Sequence, residues 1–153
     1  MSGNGRERFR VGLTRDLLTR GGEPSFGLGP LALLDADSHI EWEFLPESVD
    51  EITPDIMARY DGLYVNGPRV TAASVARADR RVRIVSRHGV GYDAVDVRAL
   101  AARGVIATNT PVAVRRPVAV AALTFIFALA GRLIEKDRLT RSGRWSERTS
   151  HMG

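Results

Sequence analysis

The sequence predicts an α/β fold built on an open parallel sheet wound on both faces. Short apolar segments of strand length recur along the first three quarters of the chain, each leading into a polar or glycine-rich turn. Helix-start residues follow several of those turns, and the connections are short. The 153 residues, 44% hydrophobic and 26% charged, suffice for one domain with its own core.

The elements follow in order. Residues 9–14 (FRVGLT) read as a first strand, residues 15–26 as a polar, glycine-rich loop, and residues 28–35 as a short helix. Residues 40–45 alternate apolar and acidic side chains as a half-buried strand does. Thr53-Pro54 pairs an N-cap residue with proline at the first helical position. Residues 62–65 (GLYV) form a short buried strand ending in Asn66-Gly67-Pro68, and Thr71 is expected to cap a helix to about Ala78. Residues 82–86 (VRIVS) give the next strand, leading into Arg87-His88-Gly89-Val90-Gly91-Tyr92-Asp93. Asp93 and Asp96 look like a capping pair for a helix running to Ala102. Gly104 stands where a helix-ending glycine belongs, and residues 105–107 make a last strand. Arg115-Arg116-Pro117 then opens a long helix from Val118 to about Arg138, apolar in nearly every direction, which must be enclosed on all sides.

Composition narrows the function classes. The absence of cysteine excludes a disulfide framework, a thiolate metal site and thiol catalysis, and agrees with a cytoplasmic location. The polar start, Met1 to Arg10, lacks the apolar stretch of a signal peptide. The longest uncharged apolar run, residues 117–131, falls short of the roughly 20 residues that span a bilayer, so no membrane partner is expected. The net charge of +4 is unevenly spread: residues 1–113 carry 14 Arg against 15 Asp plus Glu, so the excess belongs to residues 114–153. Within that basic tail Trp145 is the lone aromatic among Arg138, Arg141, Arg144 and Arg148, a poor nucleic-acid surface, and no nucleic-acid partner is expected.

Two segments fit a loose dinucleotide fingerprint. Gly27-Leu28-Gly29-Pro30-Leu31-Ala32 follows a loop and not a strand. Gly89-Val90-Gly91-Tyr92-Asp93-Ala94 does follow a strand, but no acidic residue occurs between Asp96 and Glu135 to hold a ribose. The second loop nevertheless suits a small anion. Its glycines allow close backbone approach, a following helix start would offer free N–H groups, and Arg87 adds charge. The alternative is a plain strand-to-helix turn with Arg87 and His88 in solvent. His39, His88 and His151 have no partner at metal-ligand spacing, and Ser38, Ser74 and Ser86 lack a nucleophile-elbow context, so neither a metal nor a serine nucleophile is expected. Asp16 alone cannot supply the acidic cluster of a receiver domain. Arg115 and Arg116 precede a helix start, where the macrodipole disfavours cations, so either they are solvated or they meet an anionic surface.

At these residues the sequence resembles the D-isomer-specific 2-hydroxyacid dehydrogenases. The resemblance runs through residues 61–65, Val70-Thr71, Arg87 to Asp96, Gly104-Val105 and Thr108-Asn109-Thr110-Pro111, into the long helix and Ser142-Gly143-Arg144-Trp145. Residues before 60 fit only loosely. It implies a flavodoxin-like substrate domain over residues 1–113 and an interdomain, dimerising helix within residues 114–153. It implies NAD or NADP as cofactor of the whole enzyme, and a small 2-hydroxy or 2-keto acid as substrate. By the same resemblance Arg87, His88, Gly89, Val90 and Gly91 would hold the substrate carboxylate, with Asn66 and Gly67 on the neighbouring strand end and Val118 near the nicotinamide. A homodimer would form through the stretch from Val118 to Ile134.

Two positions depart from the family pattern. Val118-Ala119-Val120 stands where the family usually has Val-Ala-Glu, and Pro68 stands near its usual threonine. The family's phosphate fingerprint, substrate arginine and acid–base pair would lie later in the chain. The expectation is therefore the amino-terminal portion of such an enzyme, without its Rossmann domain and with no catalytic residue of its own. The alternative is a catalytically inactive anion-binding or dimerisation module of the same fold.

Overall fold

The computed structural model describes residues 8–151, with the backbone alone for 150 and 151. Most of the polar start at Met1 to Arg10, and the side chain of His151, lie outside the described residues. The chain forms two compact units, Met1–Pro111 and Val112–Gly153.

The first unit is a five-stranded, wholly parallel sheet. Strands β1 (Phe9–Leu13), β2 (Ile40–Phe44), β3 (Gly62–Val65), β4 (Ile84–Arg87) and β5 (Ile106–Thr108) lie in the order β2-β1-β3-β4-β5. Every strand therefore leaves the sheet at the same edge. The strand order reverses between β1 and β3, which is where such sheets open a crevice beyond their carboxyl ends.

The side-chain alternation of the strands sorts two cores. Leu63 and Val65 of β3 and Val85 of β4 join Ile52, Met57, Tyr60, Val70, Val75 and Leu100 in the larger one. Helices α2 (Pro54–Arg59) and α3 (Val97–Ala102) contribute Met57 and Leu100 to it. Leu13 of β1 heads the smaller cluster on the other face, with Leu17, Leu31, Val11, Phe26, Trp42 and Tyr64; Leu34 of the one-turn helix α1 (Ala32–Asp35) packs there.

Of the expected caps, those at Thr53 and Gly104 form where the sequence places them. Thr53 Oγ1 accepts from Ile56 N at 3.3 Å, behind Pro54 at the start of α2. Gly104 takes φ +69 after α3, the left-handed turn that ends a helix at least cost to glycine. At the other end of α3 the cap is Asp96, accepting from Ala99 N at 2.9 Å, and not Asp93. Val95 is the reason: it pairs with Val70 as an isolated bridge, and Val95 N closes a turn onto Tyr92 O, so residues 92–95 are held out of the helix.

Two expected helices differ. Residues 71–78 form turns, not a helix. Thr71 Oγ1 accepts from Ala73 N and donates to Glu51, while Ser74 Oγ accepts from Thr71 N. These hydroxyls satisfy locally the groups a helical ladder would use, and Val75 is buried in that arrangement. The long helix divides into α4 (Arg115–Ala130) and α5 (Leu133–Arg141), bent by 59° at a break where Arg132 adopts φ 49. Arg115 and Arg116 lie inside the first turn of α4, which has no side-chain N-cap.

No residue of α4 is buried; Val118 is 62% and Leu129 77% exposed. No single helix among the described residues is long and apolar enough to cross a membrane, and α4 with α5 meets that test jointly, across the bend.

Two positions in the first unit generate predictions. Gly12 of β1 lies so close to its neighbours that a Cβ would stand 3.0 Å from Leu63 Cδ2 and from the Tyr60 ring. Gly12→Ala is expected to destabilise the chain by about 1–3 kcal/mol in denaturant unfolding. Tyr60, 1% exposed, donates its hydroxyl to Glu43 Oε1 at 2.7 Å, and Arg59 donates to the same oxygen at 2.8 Å. Burial and the Glu43 bond push the Tyr60 phenol up to about 12. The Tyr60 bond in turn holds the Glu43 carboxyl below its ordinary value. A phenol raised from 10.0 to about 12 in the fold contributes stability below pH 10 that is lost as pH climbs toward 12. Glu43 contributes stability above the ordinary carboxylate range that is lost in acid. Tyr60→Phe should cost about 1–2 kcal/mol at neutral pH and flatten the alkaline loss between pH 10 and 12, read by unfolding across pH.

Candidate functional site

The carboxyl edge of the sheet brings together residues far apart in sequence. Thr14, just beyond β1 and fully buried, donates its N–H to Tyr64 O at 2.9 Å and accepts from Asn66 N on Oγ1 at 3.1 Å. That bond closes the seam between β1 and β3. Asp16, two residues on, accepts from both Asn66 Nδ2 (2.9 Å) and Gly67 N (2.7 Å) through one oxygen. A Cβ at Gly67 would meet that oxygen at 2.8 Å, so a larger residue there would have to displace the Asp16 carboxylate. Asn66 Oδ1 then accepts from Arg87 Nη1 at 3.5 Å. Asp16, Asn66 and Arg87 thus form a chain across the exits of β1, β3 and β4.

Beyond β4 the loop is held from both sides. His88 N donates to Val65 O at 2.7 Å, and Gly89 N donates to Thr110 Oγ1 at 3.0 Å. Thr110 N returns to Gly89 O, and Asn109 Nδ2 donates to Val90 O at 2.8 Å. Gly89 has φ +121, and a Cβ there would stand 2.5 Å from Arg87 Nη1. The N–H groups of Val90 and Gly91 have no acceptor among the described residues. Successive unpaired amides a few residues from a half-buried guanidinium are groups of the kind that can bind an oxyanion.

His88 is set by aromatic neighbours. Its Nδ1 lies 2.6 Å from the Tyr64 hydroxyl, and its ring centroid 5.5 Å from that of Tyr64 and 5.8 Å from that of Phe26. Burial raises the Tyr64 phenol above its ordinary range, against the opposing pull of Arg87, so the hydroxyl keeps its proton. A protonated hydroxyl can donate to Nδ1 or accept from Nδ1–H, so the two side chains are joined in either ring tautomer.

Of the residues singled out from sequence, Asn66, Gly67, Arg87, His88, Gly89, Val90 and Gly91 gather at this edge; Val118 lies in α4 of the second unit. The N–H groups once expected from a following helix start are not at the loop, because α3 begins only at Val97. That spacing also removes the strand-turn-helix context of a dinucleotide fingerprint. The described residues therefore build no NAD(P) site at residues 89–94, and the first fingerprint-like run is spent on a single 3-10 turn, Gly29–Leu31. Among the described residues no three His, Asp or Glu side chains gather as metal ligands.

The sequence alone assigns no site role to Asp16, Tyr64 or Phe26, and none to Asn109 and Thr110 beyond their place in the family resemblance. No local signal marks Asp16, whose partners lie 50 and 51 residues away.

Comparison with known proteins bears on this arrangement. Residues 29–143 match the family described as D-isomer specific 2-hydroxyacid dehydrogenase, catalytic domain. A glyoxylate reductase of Thermococcus kodakarensis is 38% identical over 114 residues, 72% of this chain and 34% of that protein. A D-3-phosphoglycerate dehydrogenase of Archaeoglobus fulgidus is 30% identical over 95 residues, 62% of this chain and 18% of that protein. Among solved structures, the TT0316 protein of Thermus thermophilus superposes with a TM-score of 0.61 at 25% identity, covering 90% of this chain and 42% of that one. The D-lactate dehydrogenase TP0037 of Treponema pallidum gives 0.65 at 15% identity, covering 90% and 40%, a likeness of fold. The chain spans about a third or less of the length of the curated relatives named here. By sequence and by fold, this chain belongs to the D-isomer-specific 2-hydroxyacid dehydrogenase family.

Proposed function

We propose that the first unit binds the carboxylate of a small 2-keto or 2-hydroxy acid at Arg87–Gly91, as the substrate-binding part of an NAD(P)-linked, cytoplasmic oxidoreductase. The unpaired amides of Val90 and Gly91 beside Arg87 carry this reading. In it, both amides donate to the carboxylate oxygens and Arg87 supplies the neutralising charge. Asp16 and Asn66 hold Arg87 toward the loop, and Gly89 lets the backbone pass the guanidinium. The relatives named glyoxylate reductase favour an acid with a short chain. Reduction of the keto group belongs in this reading to the whole enzyme, since residues 89–94 do not form a dinucleotide site.

Titration of the 15N-labelled chain with glyoxylate should shift the Val90 and Gly91 amides saturably, with no NADH or NADPH oxidation by the same preparation. Gly89→Ala should weaken binding by about tenfold or more, equivalent to about 1.4 kcal/mol. Unchanged affinity in that variant would overturn the placement of the carboxylate. Turnover by this chain alone would overturn the division of labour.

The second part of the proposal is a homodimer through the stretch from Val118 to Ile134. Phe125 and Leu129, on one side of α4, are 66% and 77% exposed, and Phe127, on the other, is 71% exposed; water penalises this apolar surface and a second one relieves it. Sedimentation should report a dimer for the chain and a monomer for Phe125→Asp combined with Phe127→Asp. A wild-type chain monomeric at tens of micromolar would end this reading.

A further inference from the structure

We propose that the amino-terminal edge of the sheet, opposite the carboxylate loop, holds a second anion site built by Arg80, Arg83 and Arg103, for a small polyvalent oxyanion bearing phosphate or carboxylate groups. The three arginines line one open cleft of about 470 Å³ together with Asp61, Arg81 and Gly104. It lies at the starts of β4 and β5, where the chain enters the sheet.

The charge of this cleft is not balanced from within. Asp61, its one acid, is committed: its carboxylate accepts from Arg10 N at 2.9 Å and from Arg81 Nη2 at 3.2 Å. Among the described residues no carboxylate pairs with Arg80, Arg83 or Arg103. Arg80 donates to the carbonyls of Arg77 and Arg103, and Arg103 donates to the carbonyl of Ala76. Carbonyl partners fix a guanidinium without neutralising it. Arg80 caps the last turn of α3 by its bond to Arg103 O, and the same bond holds its charge in the cleft. Ordering long side chains costs rotamer freedom, so two guanidiniums tethered in advance lower the cost of gripping a ligand. Guanidinium forks match phosphate and carboxylate oxygens two at a time, and a cleft of this size takes more than one such group.

The surrounding field points the same way. Residues 35–51 hold seven Asp and Glu with no Arg or Lys, while residues 77–103 hold seven Arg against Asp79, Asp93 and Asp96. The first of these stretches contains β2, at one side of the sheet, and the second contains β4 near the other. In the fold Glu43 pairs with Arg59, Glu51 with Arg69, Arg77 with Asp79 and Arg81 with Asp61, so Arg80, Arg83 and Arg103 are among the cations of the second stretch left without a carboxylate partner among the described residues, and an anion is steered to them.

Isothermal titration of the intact chain with inorganic tripolyphosphate and, separately, citrate tests the site, at about 150 mM salt so that diffuse attraction is screened. Saturable binding of both supports the shared chemistry. Saturable binding of one supports the site and names the group it prefers. Arg83→Glu, at an exposed position, should weaken binding by about tenfold or more, and Arg103→Ala should weaken it as well. Arg141→Glu in α5 and Gly89→Ala at the carboxylate loop should leave it unchanged. Absence of saturable binding for both anions would overturn the proposal, as would full affinity in both Arg83→Glu and Arg103→Ala. An equal loss in Arg141→Glu would overturn it as general attraction, and loss in Gly89→Ala would move the anion to the loop.

Discussion

The seam between β1 and β3 is the constraint on which the rest of the first unit depends. At that seam the strand order turns back on itself, so the chain must leave β1 one way and return on the other side. Thr14 closes it with two bonds from a site without solvent, one from its own N–H and one to its hydroxyl. An unmade bond at either group would leave a buried polar atom, at about 1–3 kcal/mol. With the seam closed, Asp16 and Asn66 are neighbours, and everything the carboxyl edge does follows from that adjacency. Wholly parallel pairing then carries β4 alongside in register, Val65 opposite Arg87, which places the Arg87–Gly91 loop beside Asn66. The placement of the Arg87–Gly91 loop is therefore a consequence of the sheet's connectivity before it is a consequence of its glycines.

Much of this architecture is legible along the chain because it is local. The strand at residues 62–65 has the same bounds in sequence and structure, and Thr53-Pro54 and Gly104 act where their chemistry places them. What the sequence conceals is competition between local and distant partners. Asp93 and Asp96 are equal as caps until Val95 is drawn into a bridge with Val70, 25 positions earlier. Thr71 and Ser74 resemble a helix start, and their hydroxyls instead finish a turn tied to Glu51. The break at Gly131-Arg132 is invisible to an apolar count, since a left-handed arginine is no property of composition.

The site divides along the same line. Its glycines and Arg87 are adjacent in sequence and can be read as a motif, together with the family resemblance. Asp16, Tyr64 and Phe26 reach it from other elements, and their roles exist only once the strands align. Asp16 has no acidic cluster around it in sequence; its single carboxylate braces Asn66 and Gly67. Tyr64 had been one letter of a buried strand. Because β3 alternates, its side chain points away from Leu63 and Val65, toward the face that carries Phe26.

Charge shows most sharply how far a sum can mislead. The chain's +4 resides in its last 40 residues, and the sheet-bearing part sums to about zero. Yet that part leaves some guanidiniums without a carboxylate partner among the described residues, and its two edges differ in how many they hold. At the carboxyl edge one guanidinium stands near two unpaired backbone amides, a combination whose single positive charge would suit one carboxylate. At the amino edge three guanidiniums face a cleft whose acid is already taken, which suits a ligand of higher charge and less fixed shape. Both edges belong to β4: Arg83 stands at its entrance and Arg87 at its exit, four residues apart along one rigid strand. An anion held at one end and a carboxylate at the other would share that strand as their common support.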